Sequence, residues 1–180
     1  MAVTILNNKD SKTKKYLAKI GEVIVYMNYL EFMLEFHIQD LIKPVGDMDE
    51  VQRVSARIIY PLSFNKKIEL LSSLIMERCG QKEFRKFQEL EKLLERCGQI
   101  RNGIVHSLWY IQYGNKERGI YSKTLRIHMR EAVKRKKPFK FSEAVKYVKI
   151  SELEEFVTEI SSVIEKLMIF FAPVEDKSRL

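Results

Sequence analysis

Apolar residues recur at helical spacing through most of this chain. From about Ser11 to Lys43 the pattern predicts one long helix, ended by Pro44. Its middle, Ile20 to Ile42, is apolar on nearly every face. Val23, Ile24, Met27, Leu30, Met33, Leu34 and Leu41 are joined there by Val25, Tyr29, Phe32 and Phe36. A helix that is apolar all round has to be covered all round, by the chain's own core or by a partner. Asp47 or Asp49 opens a second helix to about Tyr60, with Arg53 and Arg57 outward, and Pro61 interrupts it. Ser63 caps a third, with Ile68, Leu71, Leu74 and Ile75 inward and Gly80 at its end. A fourth runs from about Lys82 to Leu108.

After Leu108 the period changes. Residues 109–113 and 120–125 flank a Gly114-Asn115 turn and read as a β-hairpin. Residues 128–141 are basic and poorly patterned, as in an exposed loop or irregular strand. Ser151 and Glu154 have the spacing of a capping box for a last helix, whose apolar positions run from Leu153 to Phe171. The expected fold is mainly α, an up-and-down helical bundle with a small β-hairpin insertion between the fourth and last helices. It forms a single domain over residues 1–180, with a helical core of about 11–108 and 151–171 and an insertion of about 109–150.

Charge narrows the partner. A net charge of +8 favours RNA, DNA or another polyanion over a neutral metabolite. No apolar run approaches membrane-spanning length and the N-terminal stretch lacks signal-peptide order, so no membrane is expected. Cys79 and Cys97 are too few for a disulfide framework or a zinc site, and a reduced, cytoplasmic protein is expected. No metal-ligand cluster is present, and the chemistry is expected without metal or cofactor.

The candidate chemistry lies in Arg101-Asn102-Gly103-Ile104-Val105-His106. It sets a fixed cation, an amide and a group that titrates near neutrality along about one and a half helical turns. Those are the parts that hold a phosphodiester and move protons around it. On the fourth helix Leu93, Cys97, Ile100, Ile104 and Leu108 form one stripe, the expected core face. Glu95, Gln99, Asn102 and His106 form a second, nearly opposite, with Arg101 between them. The outward surface also carries Gly98, Gly103, Val105 and Trp109, and each helical glycine costs roughly 1 kcal/mol against alanine. Close packing is therefore expected there, in a twofold interface that brings two motif helices together.

Arg101 and His106, with Asn102 directly after the arginine, resemble the Arg-x4-6-His motif of HEPN (higher eukaryotes and prokaryotes nucleotide-binding) domains. Asn28-Tyr29-Leu30-Glu31 on the long first helix and Leu62-Ser63-Phe64-Asn65-Lys66-Lys67-Ile68 fit the same pattern. The resemblance covers roughly residues 15–110 and the final helix. It implies a metal-independent endoribonuclease acting as a homodimer, with a composite site built from both motifs. His106 would exchange protons with the 2′-hydroxyl or the leaving 5′-oxygen, Arg101 would hold the phosphate, and Asn102 would orient His106. The implied setting is a prokaryotic defence or toxin system, with RNA as substrate and an antitoxin or defence-system protein as partner. HEPN toxins paired with small nucleotidyltransferases carry a tyrosine two residues after the histidine, where this chain has Leu108.

Glu31 could approach the motif as a supporting carboxylate, or form a plain salt bridge. His37 reads as a packed or surface histidine, and His128 could add to an RNA surface. Lys134, Arg135, Lys136 and Lys137, near Phe139, Phe141, Tyr121 and Tyr147 in sequence, are either a solvated loop or a grip on single-stranded RNA. A second reading is a HEPN-like module without catalysis that binds nucleotides, RNA or a protein. A third, a basic helical DNA-binding protein, lacks a recognition-helix arrangement.

Overall fold

The computed structural model describes residues 11–42, 52–53, 55–105, 108–112, 118–122 and 146–172. The chain is mainly helical. Helix α1 spans Ser11–Ile42. A π-helical turn covers Ser55–Ile59, in the region read as a second helix. Helix α2, Phe64–Cys79, begins where the Ser63 hydroxyl accepts a hydrogen bond from the Lys66 N–H at 3.4 Å. It stops at Gly80, whose φ of 83° suits a residue without a Cβ. Helix α3, Gln81–Val105, follows at once, with Phe84 N–H donating to the Gly80 carbonyl at 3.1 Å. Strands β1 (Leu108–Gln112), β2 (Arg118–Ser122) and β3 (Lys146–Val148) form an antiparallel sheet in that order, with Tyr110 opposite Ile120 and Ile120 opposite Tyr147. The joining residues 113–117, and with them the Gly114-Asn115 turn, lie outside the described residues. Helix α4 closes the described chain at Ile150–Phe171.

The start of α4 departs from expectation. Its cap is not the Ser151/Glu154 box: the helix begins one residue before Ser151, and the Lys149 N–H donates to Glu152 Oε2 at 2.6 Å. A glutamate at the third helical position reaching back to the residue before the helix is half of a capping box, displaced two residues from the expected one. Without a Ser or Thr at position 149, that half was invisible to the pattern.

The chain divides into two compact units, Met1–Val25 with Gln99–Thr158, and Tyr26–Gly98 with Glu159–Leu180. In the first, Tyr16, Ile20 and Val23 of α1, Ile104 of α3, Val148 of β3 and Leu153 of α4 are buried. The Tyr16 hydroxyl donates to the Val148 carbonyl at 3.3 Å, which satisfies a polar tip inside an apolar core. In the second, Leu30, Leu34 and Ile38 of α1 are buried, as are Ile68, Leu71 and Ile75 of α2, Phe87, Leu90 and Leu94 of α3, and Ile160, Val163 and Leu167 of α4. Leu74 is only half-buried. Arg96 and Glu159 join α3 to α4 by an ion pair, and the Phe87 and Phe170 rings meet at 5.4 Å.

Candidate functional site

Arg101 and Asn102 sit near the C-terminal end of α3, both half-buried. The buried line of this helix runs through Phe87, Leu90, Leu94, Cys97 and Ile104. Its spacing of three and four residues leaves one place vacant, and Arg101 fills it. Leu93 and Ile100, expected in the core, are half-buried, so the stripe is turned by about one residue from its expected position. That turn brings Arg101 from between two faces onto the line of the buried residues. Glu95 and Gln99 are exposed, as read. His106 lies outside the described residues, as do His128 and Lys134, Arg135, Lys136 and Lys137.

The expected glycine face is corrected at Gly98. The residue is buried in its own chain, and a Cβ built there would stand 2.9 Å from Asn65 Oδ1 and 3.0 Å from Phe64 Cδ1. Helix α3 needs glycine at that point so that the start of α2 can approach its backbone. Gly103 is buried as well. The side chains of Val105 and Trp109 lie outside the described residues.

Glu31 faces a partner that the pattern did not single out. Lys67 of α2 is 2% exposed. Its ammonium donates to Glu31 Oε1 at 2.7 Å and to Glu35 Oε1 at 2.5 Å, two carboxylates one turn apart on α1. Burial acts to lower the Lys67 pKa, but the bonds to Glu31 and Glu35 outweigh it and hold the ammonium above its ordinary value. The signal was present: Phe64, Lys67, Ile68, Leu71 and Ile75 share one helical stripe, with a lysine among its apolar members. A groove of about 580 Å³ lined by Glu69, Ser72, Ser73, Met76, Phe84 and Glu91 contains none of the motif residues.

No family model, curated protein or solved structure gives a significant match to this chain. Among the described residues no three of His, Cys, Asp and Glu gather as a metal site would require, and no described helix is long and apolar enough to cross a membrane. Both cysteines are free. Burial, with a further push from Glu159, raises the Cys97 thiol pKa to about 12, so it is no nucleophile at neutral pH.

His37 is packed. Its ring stacks on Phe171 at 3.9 Å and 12°, meets Phe36 edge-on at 5.3 Å, and leaves Nε2 buried without a hydrogen-bond partner. Burial pushes its pKa down to about 4, against a weaker upward pull from Asp40. The unfolded chain takes up this proton near pH 6.5 and the folded chain only near pH 4, so the unfolded state binds more protons between those values. His37 contributes no pH dependence above that window. Falling pH through it should remove up to about 3 kcal/mol of stability. His37→Phe keeps the stacked ring and should flatten this part of the profile. The test is the urea midpoint of both proteins across the window. Equal slopes would show that His37 is protonated while folded.

Proposed function

We propose that this chain is a metal-independent endoribonuclease of HEPN type, acting as a homodimer on single-stranded RNA in a prokaryotic defence or toxin system. The fold that this reading carries is a HEPN-like bundle with a β-hairpin insertion between the motif helix and the last helix. One observation supports it above the rest: a half-buried Arg101 followed by Asn102 near the end of a long helix, with His106 five residues after the arginine, in a chain of net charge +8. In this reading His106 takes the proton of the ribose 2′-hydroxyl, or gives one to the leaving 5′-oxygen. The 2′-oxygen bonds to phosphorus as the P–O5′ bond breaks, leaving a 2′,3′-cyclic phosphate and a 5′-hydroxyl. Arg101 holds the phosphate and offsets the charge that builds on its oxygens. Asn102 lies four residues before His106 in sequence, and its amide would orient the imidazole. Lys134, Arg135, Lys136 and Lys137 would hold the RNA backbone by charge.

The test is cleavage of a single-stranded RNA in excess chelator. Activity should persist, the product should end in a 2′,3′-cyclic phosphate or 3′-phosphate, and a 2′-deoxy group at the cut should block it. Loss of activity in chelator with recovery on adding magnesium or manganese overturns the mechanism. Binding without cleavage selects a HEPN-like RNA-binding module in place of an enzyme.

A further inference from the structure

We propose that the groove between α2 and α3 binds a small linear primary amine in its charged form. Every residue that lines it belongs to one compact unit and none to the Arg101–His106 motif, so binding here stands apart from the ribonuclease reading. Glu69, Ser72, Ser73 and Met76 step along one side of α2, and Phe84 and Glu91 stand about two turns apart on α3. The volume, about 580 Å³, is that of a small-molecule site.

The groove carries a hydroxyl without a partner. Ser72 is 7% exposed, and its Oγ makes no hydrogen bond to the described residues. Ser73 beside it donates to the Glu69 carbonyl at 2.9 Å, the usual bond of a helical serine, and keeps its lone pairs. Ser72 makes no such bond and lines the groove instead. A nearly buried hydroxyl left in this way costs stability unless something from outside the helix meets it.

Charge identifies the guest. The chain carries +8, yet both charged residues that line the groove are acidic. Glu69 is shared with Lys66 at 2.5 Å in an exposed pair. Glu91 is half-buried, and no described cation pairs with it. Arg85 and Lys92 directly follow Phe84 and Glu91, about 100° further round α3, and are exposed outside the lining. Glu77 and Glu95, one turn beyond Ser73 and Glu91, balance them at the rim. The charge left uncompensated inside is therefore that of Glu91. An ammonium has three N–H donors and no acceptor. Glu91, Ser72 and Ser73 offer it three oxygens, while Met76 and Phe84, towards the Gly80 turn, offer its alkyl stem an apolar bed.

Other guests fit less well. The carboxylates repel a phosphate, which sets aside RNA and nucleotides. Among the described residues no three metal-binding side chains gather, and a thioether and a phenyl ring suit a hard cation poorly. A neutral apolar molecule would cut Glu91 off from water without supplying a cation. A lysine side chain has the same head, but rim charges of both signs give its peptide no apolar bed.

Titration of the full chain with pentylamine, followed by amide NMR, tests the site. The Ser72, Ser73, Met76 and Phe84 signals should shift together, with a Kd on the order of 1 mM or tighter. Pentan-1-ol lacks the charge and pentanoate reverses it, so neither should move them. Glu91→Gln should weaken binding at least about tenfold, and Ser72→Ala about fivefold. Without amine, Ser72→Ala should be no less stable than wild type, because it removes an unpaired hydroxyl rather than a bond. Glu155→Gln, at an exposed carboxylate of α4, should bind as wild type does. No shift up to about 10 mM pentylamine overturns the proposal, and so do equal shifts with pentan-1-ol or unchanged binding by Glu91→Gln. A loss in Glu155→Gln as large as in Glu91→Gln would reveal general attraction to acidic surface and overturns it too. Tighter binding of a blocked lysine peptide than of pentylamine overturns the choice of a free amine.

Discussion

Lys67→Ala is expected to destabilise the folded chain by roughly 3–5 kcal/mol, the range for removing one side of a buried ion pair. The Lys67 side chain is 3% exposed, and the Glu31 and Glu35 side chains that it joins are 18% and 19% exposed. Alanine would leave two carboxylates one helical turn apart and largely out of water, with the ammonium that joins them gone. Their mutual repulsion should oppose the folded state. The variant should then regain stability as pH falls into the carboxylate range, the opposite of the His37 effect. Lys67→Met combined with Glu31→Gln and Glu35→Gln should recover most of the loss, because neutral amides are far less costly to bury than unpaired charges. Urea unfolding of the three proteins across pH is the measurement. A wild-type midpoint for Lys67→Ala would show that this cluster does not hold α1 against α2.

Arg101→Ala and His106→Ala should each lower RNA cleavage at least about 1,000-fold, within the range for losing a positioned proton-transfer group or a donor to developing charge. Helical circular dichroism should match wild type for each, so that lost cleavage is not lost folding. Arg101→Lys keeps the charge but not the planar fork, and should recover little. Mixing the two alanine variants is the sharper experiment. A mixed dimer retains one Arg101 and one His106 on different chains, so partial activity would place both in a site shared between copies. Cleavage at the wild-type rate by either single variant removes the assignment.

Features governed by neighbours along the chain were legible in the sequence. The span of α1, the Ser63 cap, the stop at Gly80 and the apolar line of α4 all follow from local chemistry and helical period. What the sequence left open depends on surfaces brought in from elsewhere. Leu93 and Leu94 are adjacent, and so are Gly103 and Ile104; a stripe about a hundred degrees wide can centre on either side, and only the packed neighbours decide. Gly98 shows the same limit. Its missing Cβ signals close approach, but not that Phe64 and Asn65, rather than a second chain, make it. A lysine normally keeps its head in water, so Lys67 could be placed in the core only once Glu31 and Glu35 were seen to meet it. Of the motif itself, Arg101 and Asn102 stand on the described helix and His106 beyond it. The chemistry there is read from residue types and spacing.

The two thiols give the chain a labelling asymmetry. Cys79 is exposed at the end of α2, while Cys97 is enclosed with its proton held tightly. A maleimide or a disulfide reagent therefore meets one accessible sulfur on the folded chain, and a fluorophore can be placed there without mutating any residue. The second sulfur becomes reactive only when its surroundings open. Its slow modification counts those openings, turning an ordinary alkylating reagent into a clock for local unfolding.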